Sequence, residues 1–197
     1  MPPDLKLAFG FISTFLVVIS ILPYIRDILK GKTQPHIYTW LIWAILQAMG
    51  AFAQFSDGAG YGAWATATGA FFCFIIFLLS FRFGTRNITR FDTACLVASF
   101  LTLAVYVRTG DGLTAIILVS VIDSLGYFPT FRKSWQEPFT ETISFFVISM
   151  SSCIFSLLAL QNYTLTTALY AVTICFMNSC MIILLLVRRT QLKERSA

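Results

Sequence analysis

Asp123 is the one residue among Asp, Glu, Lys and Arg in the apolar stretch 112–131. A lone carboxylate at membrane depth costs about 2.5–3.5 kcal/mol on insertion scales. It must therefore face the interior of a helix bundle or take up a proton. There it can serve as a proton or cation site, or accept a hydrogen bond from a polar substrate. The alternative is a neutral or paired carboxyl that ties two helices together. Ser120, Ser124 and Tyr127 share its helical face. A second constellation is His36, Trp40, Trp43, Gln47, Gly50 and Gln54, at spacings of 4, 3, 4, 3 and 4. Such spacing puts all six on one stripe of a helix. A stripe with indoles, amides and an imidazole must face protein or water, because a buried polar group needs a partner. As a cavity wall, Trp43 and Trp40 would stack on a flat ligand and Gln47 would hydrogen-bond it. As a packing face, Trp40 and His36 would sit near the headgroups as anchors. Asn178 is a third polar side chain inside an apolar run, with Tyr170 and Thr173 as weaker candidates nearby.

Other chemistries find little support. The single histidine, His36, sits at a helix start, and no nucleophile–base pair has usable spacing. The five cysteines, 73, 95, 153, 175 and 180, form no Cys-x-x-Cys pair and fall inside apolar runs, where they read as small packing residues. No lysine lies in the last apolar run to carry a retinal Schiff base. No catalytic residue, metal ligand or cofactor is expected.

The elements that must position these residues are membrane helices. Hydrophobic residues make up 57% of 197 and charged residues 12%, more apolar surface than a soluble domain of this length can hide. Stretches free of Asp, Glu, Lys and Arg run over 7–25, 34–56, 58–81 and 142–187. A span needs roughly 20 apolar residues. The first three stretches hold one each, and the last holds two, turning at Gln161-Asn162-Tyr163-Thr164. Weaker spans at 91–107 and 112–131 bring the expectation to seven helices: 5–29, 35–55, 62–81, 91–107, 112–131, 138–160 and 165–187. No run alternates with period two, so a transmembrane barrel is excluded. The first segment, with Asp4 before it, does not read as a cleavable signal.

The net charge of +5 is not a nucleic-acid signal. With the amino terminus outside, twelve of the fourteen Lys and Arg residues fall in cytoplasmic loops or the carboxyl-terminal tail; only Lys6 and Arg108 face outward. This positive-inside bias predicts the amino terminus out and the carboxyl terminus in.

The chain also repeats itself. Ile21-Leu22-Pro23-Tyr24-Ile25-Arg26 followed by Gln34-Pro35 returns as Tyr127-Phe128-Pro129-Thr130-Phe131-Arg132 followed by Glu137-Pro138. The prolines are 106 residues apart. Cys73 and Arg82 pair with Cys180 and Arg189 at 107, which makes Phe71 the counterpart of Asn178. The expected organisation is a first three-helix unit (1–84), a linker helix (85–108), a second three-helix unit (109–190) and a short tail (191–197). An odd connector makes the units parallel repeats. Pro23 and Pro129 each remove a backbone bond and are expected to act as hinges. Pro35 and Pro138 suit the first turns of the second and sixth helices, and Glu141 suits the dipole at the start of the sixth.

A proline near a helix end, a short basic loop with Lys32-Thr33 and a second helix resemble the PQ-loop superfamily, which includes the SWEET sugar facilitators. The resemblance covers essentially the whole chain, although Tyr24 and Thr130 replace the glutamine of the signature pair. The stretches 35–64 and 123–135 are also similar to a set of bacterial membrane proteins, which implies a bacterial inner membrane. The resemblance implies a three-plus-one-plus-three transporter, with Asn178 at the position of a substrate contact. An interhelical hydrogen bond is the alternative role for Asn178. The expected function is alternating-access movement of a small polar metabolite (sugar, vitamin, nucleoside or amino acid), by facilitated diffusion or proton-coupled through Asp123. A ligand receptor or structural protein on the same fold is the alternative. The near absence of cations in the membrane interior argues against a receptor for a peptide carboxylate. A homo-oligomer remains open.

Overall fold

The computed structural model describes residues 1–31, 35, 37–84, 90–136, 138–140 and 143–196, with the side chains of 92, 126, 128–130, 132, 133, 136, 140 and 194–196 left aside. His36 and Glu141 thus lie outside the described residues, as do Lys32 and Thr33. The described chain is helical: α1 Pro3–Leu29, α2 Ile37–Ser56, α3 Trp64–Phe83, α4 Arg90–Thr109, α5 Gly112–Gln136, α6 Ile143–Ala159 and α7 Leu165–Ser196, with short 3-10 turns at Gly60–Ala63 and Pro138–Thr140. Four segments are long and apolar enough to cross a membrane: Pro3–Leu29, Ile37–Ser56, Gly60–Phe83 and Leu165–Lys193. The apolar parts of the others, Thr93–Thr109, Gly112–Leu125 and Ile143–Ala159, are shorter.

Helix ends follow local chemistry. Asp4 sits in the first turn of α1, where a carboxylate suits the helix dipole. Gly31, at φ +68°, closes that helix, its N–H donating to the Ile28 carbonyl at 2.9 Å. Asp111 caps α5. Its carboxylate accepts from the backbone N–H of Leu113 at 3.1 Å and of Thr114 at 3.4 Å, and from the Thr114 hydroxyl. The Thr114 hydrogen bond, with smaller help from the two backbone N–H groups, holds this carboxyl below its ordinary value of 3.8. The cap is therefore intact throughout the neutral range and is lost only as pH falls through that lowered value.

Three boundaries differ from the sequence expectation by more than two residues. α5 runs on to Gln136, carrying the Arg132 position inside the helix. Pro138 belongs to a 3-10 turn, and α6 starts at Ile143. α7 continues to Ser196, so the expected tail is helical almost to its end. A hydropathy boundary marks where a chain leaves lipid; Gln, Leu, Lys, Glu and Arg beyond it are good helix formers that keep the helix going. Both repeated prolines lie inside continuous helices.

The packing pairs come in matched sets. α3 packs against both α1 and α2, and α7 against both α5 and α6. Across the molecule α1 packs on α6 and α2 on α5, with lighter contacts of α2 with α7 and α3 with α6. α4 leans on α2 and α5. Phe11, Phe15, Phe74 and Phe176 point outward, as suits a lipid-facing surface.

Polar side chains fix the register between helices. Ser152 of α6 donates to the Ser13 carbonyl of α1 at 2.8 Å, Ser156 to the Gly62 carbonyl at 2.6 Å, and Gln54 of α2 to the Thr167 carbonyl of α7 at 3.1 Å. The end of the bundle that holds the amino terminus is clasped. Thr164 donates to the Asp57 carboxylate, Asn162 to the Asp57 carbonyl at 3.1 Å, and the Gln161 N–H to the Ala59 carbonyl at 3.0 Å. Gly62 belongs to this clasp, since a Cβ there would lie 3.0 Å from the Leu160 Cα and 2.4 Å from its side chain. Gly62→Val is expected to destabilise the protein by about 1–3 kcal/mol through overpacking, measured as a lowered unfolding midpoint in detergent; an unchanged midpoint contradicts the tight approach.

Candidate functional site

One group of polar residues in the bundle interior lies around Asp123. Its side chain is 5% exposed and makes no hydrogen bond or ion pair with a described residue. Cys73 of α3, Cys153 of α6, Tyr127 of α5 and Tyr170 of α7 all lie within electrostatic reach of its carboxylate. Four helices thus converge on one acidic group. An apolar α5 brings it there because its outer face, Ile117, Val121 and Leu125, is exposed, while Ile116, Val119 and Ser120 turn inward with Asp123.

Two bridges flank this group. Gln47 of α2 donates to the Cys73 sulfur of α3 at 3.2 Å, with its amide oxygen laid against Gly69. On the other side Tyr127 donates to the amide oxygen of Asn178 at 3.3 Å, and the Asn178 amide donates to Ser149 at 3.1 Å. Asn178 is fully buried and joins α5, α6 and α7. The first bridge ties α2 to α3, and the second ties α6 to α7.

The sequence candidates divide accordingly. Gln47, Asp123, Tyr127 and Asn178 come together. Trp43 stands one turn before Gln47, half-buried, with its ring edge-to-face on Trp40 at 5.2 Å. Trp40 instead packs on Tyr24 at 5.1 Å, inside a core of Ile21, Ile28, Ala44 and Ile76, and serves as a packing residue. Gln54 lies away from the centre, in the register contact with α7. Ser120 and Ser124 donate back to their own helix, to the carbonyls of Ile116 and Ser120, which leaves only their lone pairs for the interior.

Cys73, Cys153 and Ser149 belong to the cluster and were not singled out from the sequence. Pairing α3 with α7 at 107 sets fully buried Ile76 against Ile183, which is 61% exposed. An offset of 105 instead sets the buried residues Cys73, Ile76 and Ser80 against Asn178, Met181 and Leu185, all buried, while Phe71 faces outward. Cysteine was read as packing material because nothing in its spacing pointed to a partner.

A separate cup of about 240 Å³ opens at the clasped end between Asp57, Tyr106, Asp111 and Thr166. Both carboxylates are engaged there, Asp57 by Thr164 and Asp111 as the cap of α5. Among the described residues no group of three or more His, Cys, Asp or Glu is placed to hold a metal. No family model, curated protein or solved structure matches the chain.

The bonds of Asn178 set an order of effects. Tyr127→Phe is expected to cost about 0.6 kcal/mol, a typical interhelical hydrogen bond. Asn178→Ala removes both bonds and leaves Ser149 without its donor, for about 1–3 kcal/mol. Thermal unfolding of the two variants checks this; a greater loss in Tyr127→Phe removes Asn178 from the role of hub.

Proposed function

We propose that this protein is a seven-span transporter of the PQ-loop type, with two parallel three-helix units joined by α4. It sits in a bacterial inner membrane, amino terminus out and carboxyl terminus in. It moves a small polar metabolite (sugar, vitamin, nucleoside or amino acid) by alternating access, by facilitated diffusion or coupled to protons through Asp123. The supporting observation is the matched packing: α1–α3 with α5–α7, α2–α3 with α6–α7, α1–α6 with α5–α2, and α2–α7 with α6–α3. A duplicated unit paired with its copy gives this pattern.

Burial keeps the same step. At an offset of 106, Ser13, Ile28, Trp40, Leu46 and Ala53 correspond to Val119, Ser134, Phe146, Ser152 and Ala159, and all ten are buried. The polar group around Asp123 lies where the two units meet, the usual place for a substrate in such repeats.

The two ends of the bundle differ in a way that suits alternating access. At the clasped end the loops after α2 and α6 are hydrogen-bonded to each other. Toward the opposite end the cores are separate. Ile21, Ile28, Trp40 and Ile76 pack within the first unit, and Phe146, Met181 and Leu185 within the second. Pro23 and the position of Pro129 lie in that half, where a missing backbone bond eases bending of α1 and α5. Arg188 and Arg189 donate to the carbonyls of Trp135 and Pro138 at 2.9 Å, both contacts inside the second unit.

A thermal-stability screen of the purified protein against sugars, nucleosides, vitamins and amino acids at pH 5.5 and 7.5 tests the reading. A ligand of the folded state raises the midpoint by mass action, and a gain that grows at the lower pH supports proton linkage; silence across the panel counts against a metabolite transporter. Trp43→Ala is expected to abolish the shift while the protein still folds. Trp40→Ala is expected to lower stability by about 3–5 kcal/mol, as loss of a buried indole does. Unchanged binding in Trp43→Ala removes this face of α2 from the site.

A further inference from the structure

We propose, resting on the transporter reading, that the substrate is an organic cation, an amine or cationic ring whose charge pairs with Asp123. Three donors of the cluster point elsewhere: the Tyr127 hydroxyl to Asn178, the Asn178 amide to Ser149 and the Gln47 amide to Cys73. The carboxylate thus stands as an acceptor with no described donor on it. Among the described residues no Lys or Arg forms an ion pair with Asp123. Lys6 and Arg108 sit at the clasped end, Lys6 held by the Gln161 carbonyl and the Tyr163 ring. At the opposite end Arg26 pairs with Asp27, while Arg188 and Arg189 rest on Trp135 and Phe139.

The groups nearest in charge interaction with Asp123 are rings and thiols. Two phenol rings, Tyr127 and Tyr170, and two thiols, Cys73 and Cys153, are in its reach. Aromatic faces attract a cation through the ring quadrupole, most strongly where water is scarce. A carboxylate among aromatic rings therefore favours a positive ligand, disfavours an anion by like-charge repulsion, and gives a neutral sugar little beyond one acceptor. An incoming cation would supply a partner that no described residue provides.

The test is a charge series on one shape: phenethylamine, 2-phenylethanol and phenylacetate, with tetramethylammonium as a cation lacking N–H donors. Each is added to the purified full chain in detergent, beside the neutral sugar and nucleoside panel. The expected result is a raised unfolding midpoint with phenethylamine and tetramethylammonium and none with phenylacetate, with at least tenfold weaker binding of phenethylamine to Asp123→Asn. If that variant does not fold, Asp123→Glu and the wild-type charge series carry the decision. Equal shifts with phenethylamine and 2-phenylethanol, or an undiminished shift in Asp123→Asn, overturn the cation proposal. A sugar or nucleoside that binds while the cations do not overturns it too, and leaves the transporter reading in place. No shift with any compound of either set counts against both.

Discussion

Polar groups inside an apolar bundle must find one another, and the rest of this structure depends on that constraint. Helices satisfy their own backbones, so apolar contact alone leaves neighbouring helices free to slide and turn. A few side chains remove that freedom. Ser152 on the Ser13 carbonyl, Ser156 on the Gly62 carbonyl and Gln54 on the Thr167 carbonyl each join a helix of the first group to one of the second. Gln47 with Cys73, and Asn178 with Ser149 and Tyr127, do the same within the groups. Each bond is weak singly, but together they fix the height and rotation of six helices around one place.

That place holds an exception. Asp123 is buried as deeply as its neighbours, yet they bond to one another and not to it. Gln54 Oε1 and Ser134 Oγ are also buried without a partner, but a carboxylate at such depth is the costlier group to leave without one. The bridges on either side keep the surrounding amides and hydroxyls oriented, which is how a site is preorganised.

The sequence made much of this legible, for physical reasons. Long runs without charge are helices because nothing else satisfies the backbone in such surroundings, and all seven expected helices are present. Gln47, Asp123, Tyr127 and Asn178 were visible because amides, acids and phenols are rare in such runs. Helix ends were less legible: hydropathy reports the edge of the lipid, while α7 obeys helix propensity for another turn and more. The α3–α7 pairing was hard to read from sequence, because Cys73 and Cys180 lie among Ile and Leu, where several offsets match equally well and only burial tells them apart. Trp40 shows why spacing left two roles open: one face of α2 serves two neighbours, and the indole of Trp40 packs on Tyr24 of α1.

The length of α7 has a mechanical consequence. Its 32 residues form a rod of about 48 Å, against a hydrocarbon core of about 30 Å. Asn178 lies near its middle, and Arg188 and Arg189 brace it farther along. A rigid rod that pivoted near Asn178 would move its far end more than any residue packed at the centre. The last turn of α7 is therefore the place from which an attached fluorophore would report such a tilt without touching the interior.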